Sequence, residues 1–387
     1  MTESSVLFAL LRHQICGEKV SEEVKNALTP EILKGVYKLA GAHDLAHLAG
    51  QSLSQLGALG DDEVSQAFKK AAMQAVYRYV QLNFEYEQAC SVLEKAKIPF
   101  IPLKGSVLRA HYPEPWMRTS SDMDILVKPE NLDAAAAVLA EELGYVAGKK
   151  DEHDIPMRSK TGLLLELHYD TMEERHAVGK RYEMLERIWD YAAPKKEGSY
   201  HYYLSDDMFY FFHIAHMAKH FEMGGCGIRT FMDLWIMSHR MEFDAQKREK
   251  ILKDGNLMAF ATGAEALTAC WFNNAPKNEL TSQMEAFVLW GGTFGNIQNK
   301  AIVGQAREGS KVKYLLSRVF LPYSTMKQVY PVLQKHKWLT PVYHPIRWAE
   351  MVFRGDMART MSEVKHTGET NTSQRDAMAQ MLRELDM

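Results

Sequence analysis

The chain has 387 residues, 46% of them hydrophobic and 25% charged, a composition typical of folded globular proteins. Its formal net charge of −3 excludes a strong general attraction to nucleic acid or to an anionic membrane surface. No apolar run reaches the roughly 18 to 20 residues that span a bilayer, and the N-terminus lacks the pattern of a signal peptide. Four widely spaced cysteines predict free thiols. We therefore expect a cytoplasmic protein with two or three hydrophobic cores.

The predicted elements divide the chain into four parts. Residues 1–96 are predicted to be helical, because apolar residues recur at helical spacing and "DDEV" supplies an aspartate cap. Residues 97–172 mix extended segments ("PFIPLKG", "DMDILV" and the hairpin "HDIPMRSKTGLLLELHYD") with a helix between Pro129 and Gly144. Residues 173–354 are again predicted to be helical, and residues 355–387 form a polar tail with a short terminal helix. The pattern predicts an α+β fold, in which helical regions flank a small mixed sheet.

Two aspartates share one face of the predicted strand "DMDILV". Side chains at i and i+2 of a strand point to the same side, so Asp122 and Asp124 lie opposite the apolar Met123, Ile125 and Val127. Two neighbouring carboxylates repel each other, and burial makes the repulsion stronger. The pair is therefore either solvated at a strand end or bound to a cation. The repulsion also predicts that an amide at either position raises the heat stability.

A second strand carries a similar polar face. In "LLLELHYD" the side chains of Glu166, His168 and Asp170 share one side. If this strand lies beside "DMDILV", Glu166 completes a cluster of three carboxylates, which can hold two metal ions about 3.5–4 Å apart around a phosphoryl group. His168 is expected to orient a carboxylate or to pack, or else to ligate a metal.

The "LKGS" segment stands where a predicted strand meets a helix. Backbone N–H groups at a helix start and the Ser106 hydroxyl form a site suited to phosphate oxygens. Gly105 has a plainer explanation as a turn residue that needs a positive φ. The segment alone leaves both interpretations open.

Together, "IPFIPLKGSVL", "YPEPWMRTSSDMDILV" and "LLLELHYD" resemble the nucleotidyltransferases of the DNA polymerase beta superfamily. The resemblance is greatest for a largely uncharacterised bacterial branch with a "KG…R…DxD…[DE]xH" signature. It implies a small nucleotidyltransferase core over residues 97–172. It also implies that Asp122 and Asp124 bind Mg²⁺ or Mn²⁺. Glu166 is then a third metal ligand, or a general base with a raised pKa.

The same resemblance implies roles for the residues around the turn. Gly105 and Ser106 are expected to hold the triphosphate of the nucleotide. Lys104 and Arg118 match basic positions of the branch and are expected to neutralise phosphate charge, unless they form structural ion pairs. The segment between Ser106 and Asp122 is longer than in the superfamily pattern. This difference bears on the position of Arg118 relative to the nucleotide more than on the positions of the aspartates.

The activity expected from the resemblance is transfer of a nucleoside monophosphate from an NTP to a small-molecule, protein or RNA acceptor. One alternative is a nucleotide-binding scaffold or regulatory protein without turnover. Another is a toxin-like enzyme that modifies RNA ends with the help of a basic strip, which is equally well a solvated hairpin edge. The strip consists of Lys149, Lys150, Arg158 and Lys160.

A third polar face lies on the predicted helix "HIAHMAKH". His213, His216 and His220 stand at i, i+3 and i+7, with Lys219 beside them and Arg229 after a turn. These residues line the substrate cleft, pack against the α+β core or, for the histidines, bind zinc. Zinc requires further ligands, and none stands at a telling spacing.

Overall fold

The computed structural model describes residues 1–172, 179–293, 295–354 and 372–387. It confirms the predicted α+β class: a mixed five-stranded sheet and a small two-stranded sheet are flanked by helices. The boundaries between the four predicted parts stay predictions, and residues 355–371 of the predicted tail lie outside the described part of the chain.

The helices of the N-terminal part and of the core are α1 Glu3–Ile15, α2 Glu22–Asn26, α3 Pro30–Ala42, α4 Ala46–Gln55, α5 Glu63–Lys95, α6 Gly105–Leu108, α7 Leu132–Leu143 and α8 Lys180–Glu186. The later helices are α9 Asp206–Glu222, α10 Ile228–Arg240, α11 Ala245–Asp254, α12 Met258–Phe272, α13 Glu279–Gly291, α14 Ile297–Glu308, α15 Lys311–Val319, α16 Tyr323–Val329, α17 Val332–Lys335, α18 Thr340–Arg354 and α19 Thr372–Glu384. Short 3₁₀ turns occur at Arg109–His111, Pro115–Met117, Pro129–Asn131, Ile188–Tyr191 and Lys337–Leu339.

The five-stranded sheet consists of β1 Phe100–Pro102, β2 Asp122–Val127, β3 Val146–Ala147, β4 Asp154–Arg158 and β5 Leu164–His168, in the order β1-β2-β5-β4-β3. The central pair, β2 and β5, is parallel, and the other neighbouring strands are antiparallel. The predicted hairpin is confirmed as β4–β5, with Gly162 at a φ of +85° in its turn.

One face of this sheet forms a hydrophobic core, because the period of two along each strand sends apolar side chains to the same side. Met123 and Ile125 of β2 pack there with Leu165 of β5. Two helices cover this face, α5 through Leu82 and neighbouring side chains and α7 through Leu139. The opposite face carries the polar side chains of both central strands. The alternation in "DMDILV" therefore separates the core from the candidate site.

The ends of the two covering helices follow from local sequence. Asp62 caps α5, since its Oδ1 accepts hydrogen bonds from the N–H groups of Val64 and Ser65 at 3.1 Å. Gly144 ends α7 with a left-handed φ of +71°, which glycine adopts without steric cost. Pro129 lies in a 3₁₀ turn before α7.

One prediction for the second half of the chain is wrong. Residues 173–354 are predicted to be helical, but two strands in this range, β6 Ala192–Pro194 and β7 Tyr202–Leu204, pair antiparallel. "HYYL" is rich in tyrosine, which favours strands. His201, directly before β7, forms a bridge with Phe100 of β1, and β7 itself also contacts β1. Contact with the edge of the larger sheet stabilises strands too short to form alone.

The described residues divide into two compact units. One comprises residues 1–216 and 228–277 and contains both sheets, and the other comprises residues 217–227 and 278–387. The second unit is helical in its described part, and Met378, Met381 and Leu382 of the terminal helix α19 are buried. Of the helices in the described ranges, none combines the length and apolar character required to cross a membrane.

Candidate active site

The carboxylates predicted to form a cluster meet on the polar face of the sheet. Because β2 and β5 are parallel neighbours, Asp124 pairs directly with Glu166, and Leu126 pairs with His168. Asp122 lies two residues before Asp124 and shares its face. The predicted pairing of the two strands is thus confirmed, and it brings the third carboxylate beside the aspartate pair.

Asp124 is the most contacted carboxylate of the group. Its side chain is 3% exposed, and its Oδ1 accepts hydrogen bonds from Lys104 Nζ at 2.6 Å and from His168 Nε2 at 3.0 Å. His168 Nε2 also lies 3.4 Å from Glu166 Oε2, and the Glu166 side chain is 25% exposed. His168 therefore joins Asp124 to Glu166, which agrees with the expectation that it orients a carboxylate.

The three carboxylates differ in acidity because their neighbours differ. Burial raises the pKa of Asp124, but the charge of Lys104 and the hydrogen bond from His168 outweigh burial and hold the pKa well below its usual range. The hydrogen bond from His168 also lowers the pKa of Glu166. For Asp122, burial and the charge of Asp124 raise the pKa. The expected raised pKa of Glu166 is wrong, since the histidine stabilises its ionised form.

These shifts also change the expected effect of amide substitutions. At Asp122, burial and then the charge of Asp124 disfavour the ionised form, so an amide there still predicts higher heat stability. Asp124 is held by two cationic or proton-donating partners, so its ionised form stabilises the fold. For Asp124 we therefore expect the opposite effect, a loss of heat stability in the amide variant.

The turn between β1 and α6 is built differently from its sequence prediction. The positive φ of +48° belongs to Lys104, not to Gly105. Gly105 begins α6, and a Cβ there would lie only 3.3 Å from Ser120 Cβ and 3.4 Å from Arg118 Nη1. The Ser106 Oγ is buried without a hydrogen-bond partner in the described part of the chain. The turn therefore needs glycine for close packing, and it directs Lys104 toward Asp124.

Arg118 lies in a buried ion pair. Its Nε donates to Asp233 Oδ1 at 2.8 Å, its Nη2 donates to Oδ2 at 2.9 Å, and its Nη1 donates to the Thr119 carbonyl at 2.6 Å. The Tyr112 hydroxyl donates to the same Asp233 at 2.7 Å. These contacts agree with the second role expected for Arg118, a structural ion pair, rather than with phosphate binding.

Asp233 is 115 positions from Arg118, and no sequence spacing indicated their pairing. The motif marks Arg118 as a basic position, and nothing in the sequence marks Asp233 as its partner.

The side chains of the cluster suit a divalent cation. One ligand atom each from Asp124, Glu166 and His168 lies within 4.8 Å of the others. A second group of the same kind consists of His153, Asp154 and His168. Carboxylate oxygens are the ligands that Mg²⁺ prefers, and the first group supplies two of them beside Asp122.

Asp170, which the alternation placed with Glu166 and His168, lies past the end of β5. Its Oδ1 accepts from the N–H of Thr171 at 2.6 Å, and its Oδ2 accepts from the Tyr182 hydroxyl at 2.9 Å. This carboxylate therefore closes the turn that follows the strand.

The predicted histidine face divides between the two compact units. His213, His216 and Arg229 belong to the first, and Lys219 and His220 belong to the second. His213 is buried, and its Nε2 contacts the Thr230 carbonyl at 3.0 Å.

Two further observations concern this face. Arg229 Nη1 donates to Asp44 at 2.8 Å and to the Thr119 carbonyl at 3.1 Å. Of the convergent metal-ligand groups found among the described residues, neither includes His213, His216 or His220. The contacts of His213 favour packing over zinc binding.

The basic strip lies on and beside the β3–β4 edge and the β4–β5 turn. Its four side chains are exposed, and Lys150 Nζ lies 4.5 Å from the centre of the Tyr169 ring. This position agrees with a solvated hairpin edge.

Comparison with known proteins gives one match. A family model described as uncharacterised nucleotidyltransferase matches residues 33–273, which include the carboxylate cluster, the Lys104 turn and the Arg118–Asp233 pair. A search of curated proteins found no match, and a search of solved structures found none either. The matched region covers more than half of the chain and contains the whole five-stranded sheet. The chain therefore belongs to a family of uncharacterised nucleotidyltransferases.

Proposed function

We propose that the protein transfers a nucleoside monophosphate from an NTP to a hydroxyl-bearing acceptor and releases pyrophosphate, with Mg²⁺ or Mn²⁺ as cofactor. The observation that supports this most is the register of β2 and β5, which pairs Asp124 with Glu166 and places Asp122 on the same face. Three carboxylates on adjacent strand positions match the needs of metal-assisted phosphoryl chemistry.

Asp122, Asp124 and Glu166 are the residues that hold the cation in this proposal. The bound cation neutralises phosphate charge and orients the reacting oxygens. The donor set supports this assignment, because carboxylate oxygens of Asp124 and Glu166 converge, and His168 fixes both by hydrogen bonds. Asp122 lies on the same face of the sheet.

Glu166 acts as a metal ligand rather than as the general base. A general base is most effective when its pKa lies near the operating pH, and the hydrogen bond from His168 lowers the pKa of Glu166. A lowered pKa keeps the carboxylate ionised, which is the state that a metal requires.

Lys104, Gly105 and Ser106 bind the triphosphate. Lys104 brings a positive charge to the carboxylate face, where its Nζ lies 2.6 Å from Asp124 Oδ1. The Ser106 hydroxyl, buried and without a partner among the described residues, can donate to a phosphate oxygen. Arg118 and Arg229 support the site from outside, since Asp233 and Asp44 accept hydrogen bonds from them.

Pyrophosphate release tests the proposal. Purified protein is incubated with each NTP, with Mg²⁺ or with a chelator, and with fractions of a cell extract as the source of acceptor. We expect Mg²⁺-dependent release that is lost in Asp122→Asn. The matched control is Asp190→Asn, which removes an exposed carboxylate paired with Arg187. Release that is equal in both variants, or unaffected by chelation, contradicts the proposal.

A further inference from the structure

A cavity of about 510 Å³ lies beside the α6 turn, in the unit that contains both sheets. Its walls come from α5, from α6 and the turn after it, from β7 and from the start of α9. The volume is in the range of small-molecule sites, which are usually about 300–1,000 Å³. The aromatic part of the wall consists of Tyr79, Tyr86, Tyr203 and Phe209.

The cavity lies on the other side of the sheet from the carboxylates. Pro102 of β1 lines it, and Pro102 pairs with Ile125 of β2, so the two side chains share a face. Ile125 belongs to the hydrophobic core, and Tyr86, another lining residue, packs against the same core. Asp124 points to the opposite face. The cavity therefore lies apart from the three carboxylates, and it shares Ser106 with the proposed triphosphate site.

A buried cation in the cavity wall has no acidic partner. Arg109 is only 5% exposed, and its ordinary acceptors are the Gly105 carbonyl at 2.8 Å from Nε and the Ser120 Oγ at 2.8 Å from Nη2. Within the described ranges of the chain, no carboxylate forms an ion pair with it. A guanidinium carries five N–H donors, so most of its donors lack an acceptor there. Buried charges in folded proteins are normally paired.

The neighbouring arginine makes the contrast clear. Arg118 is equally buried, but Asp233 satisfies it through two nearly parallel hydrogen bonds. Burial, followed by the charge of Arg118, lowers the pKa of Arg109. Tyr79, Tyr86 and Asp122 oppose this shift only in part, so an anion beside Arg109 would offset its burial and its repulsion from Arg118.

We propose that this cavity binds a small aromatic molecule with a carboxylate or a comparable anionic group. The anionic group would pair with Arg109, whose planar fork suits carboxylates. The ring would lie between the tyrosines and Phe209, because aromatic walls bind flat apolar groups. The buried Ser106 Oγ, which also lines the cavity and lacks a partner among the described residues, offers a further hydrogen bond.

Binding to 2-naphthoate and to its neutral analogue 2-naphthamide tests the proposal, with affinities measured by titration calorimetry. We expect naphthoate to bind at least roughly tenfold more tightly than the amide, since hydrogen bonds to charged groups are the stronger ones. Arg109→Gln should abolish this preference. Ala110→Trp, which fills the cavity from an exposed position on its wall, should abolish binding of both compounds.

Two controls separate this site from others. Ala137→Trp adds the same side chain at an exposed position of α7 and should leave naphthoate binding unchanged. Naphthoate should also bind Asp124→Asn as tightly as the wild type, because the carboxylate face takes no part. The proposal is overturned by equal affinities for naphthoate and naphthamide, by undiminished binding in Ala110→Trp, or by no binding of either compound at millimolar concentration. These outcomes are independent of whether nucleotidyl transfer is observed.

Discussion

Two buried aspartates in this protein are held by cations in contrasting ways. Both oxygens of Asp233 accept hydrogen bonds from Arg118, Tyr112 adds a third, and the residue is fully buried. Asp124 receives Lys104 and His168 on the same oxygen, Oδ1, and stands beside Glu166, whose side chain is 25% exposed.

The difference separates a structural ion pair from a reactive group. A carboxylate with every oxygen matched to a fixed donor has no capacity to bind anything further. Among the described residues, no hydrogen bond reaches the second oxygen of Asp124, and the carboxylates of Asp122 and Glu166 share its face of the sheet. A metal and a phosphate require such an arrangement. The motif position of Arg118 predicted phosphate binding, whereas its contacts with Asp233 indicate a structural role.

The largest expected effect is at Asp124. Asp124→Asn should reduce nucleotidyl transfer by more than roughly 10³-fold, comparable with the loss of a main electrostatic group in other active sites. Circular dichroism should show a retained fold, with a lower melting temperature because Lys104 loses its partner. Transfer at the wild-type rate in this variant would remove Asp124 from the mechanism.

The same substitution at the other aspartate, Asp233→Asn, should lower the free energy of unfolding. Asp233→Asn leaves Arg118 buried with one partner weakened, and breaking such a pair costs about 3–5 kcal/mol. Denaturant unfolding measures this loss, with the exposed Asp190→Asn as control. If unfolding is unchanged while transfer disappears, the two aspartates have been assigned to the wrong roles.

Glu166 belongs to the carboxylate group around Asp124, and its side chain is partly exposed. As a metal ligand, Glu166→Gln should raise the Mg²⁺ concentration for half-maximal rate by roughly 10–100-fold, and excess metal should restore part of the rate. A general base would instead leave the metal requirement unchanged and reduce the rate by roughly 10²–10⁴-fold. Rate measurements across Mg²⁺ concentration and pH decide between these roles.

His168 makes the stability of the site depend on pH. Although burial lowers its pKa, hydrogen bonds to Asp124 and Glu166 raise it overall above the ordinary value of about 6.5. A raised folded-state pKa means that the stabilisation is complete below the unfolded pKa and is lost as the pH rises through the folded one. Melting temperatures of wild type and His168→Gln, measured with a chelator, should differ more at about pH 6 than at about pH 9. A constant difference would show that the protonated ring contributes nothing.

The smallest expected effect is at Ser106. Ser106→Ala should weaken NTP binding by about 0.5–1.5 kcal/mol, the usual contribution of one neutral hydrogen bond. The fold should be unaffected, because the Oγ has no partner among the described residues. Titration calorimetry with a non-hydrolysable NTP measures the change, and unchanged affinity would move the phosphate site away from α6.

Local patterns predicted much of this site. The alternation in "DMDILV" and "LLLELHYD" placed Asp122, Asp124 and Glu166 on one face, and the parallel register of β2 and β5 confirms the placement of Asp124 beside Glu166. The hairpin and the end of α7 at Gly144 were also predictable, since turn residues and the period of two act over a few positions.

Contacts between distant segments were not predictable. The pairing of Arg118 with Asp233 joins positions 115 apart, and the pKa of Asp124 is lowered by Lys104 and His168, which lie 20 and 44 positions from it. The strands β6 and β7 are too short to give a pattern of their own. Sequence periodicity identifies which side chains share a face of a strand. The pKa of a carboxylate on that face depends on which side chains from other segments contact it.

Tracing the label from two forms of the same NTP tests the central claim most directly. Wild-type protein, Mg²⁺ and extract fractions are incubated with NTP labelled either at the α-phosphate or at the γ-phosphate, and acceptor molecules are separated and counted. Nucleotidyl transfer predicts that the acceptor gains label only from the α-labelled NTP, and that Asp124→Asn abolishes the signal. Label transferred from the γ-phosphate, or an acceptor equally labelled by Asp124→Asn, would contradict the account.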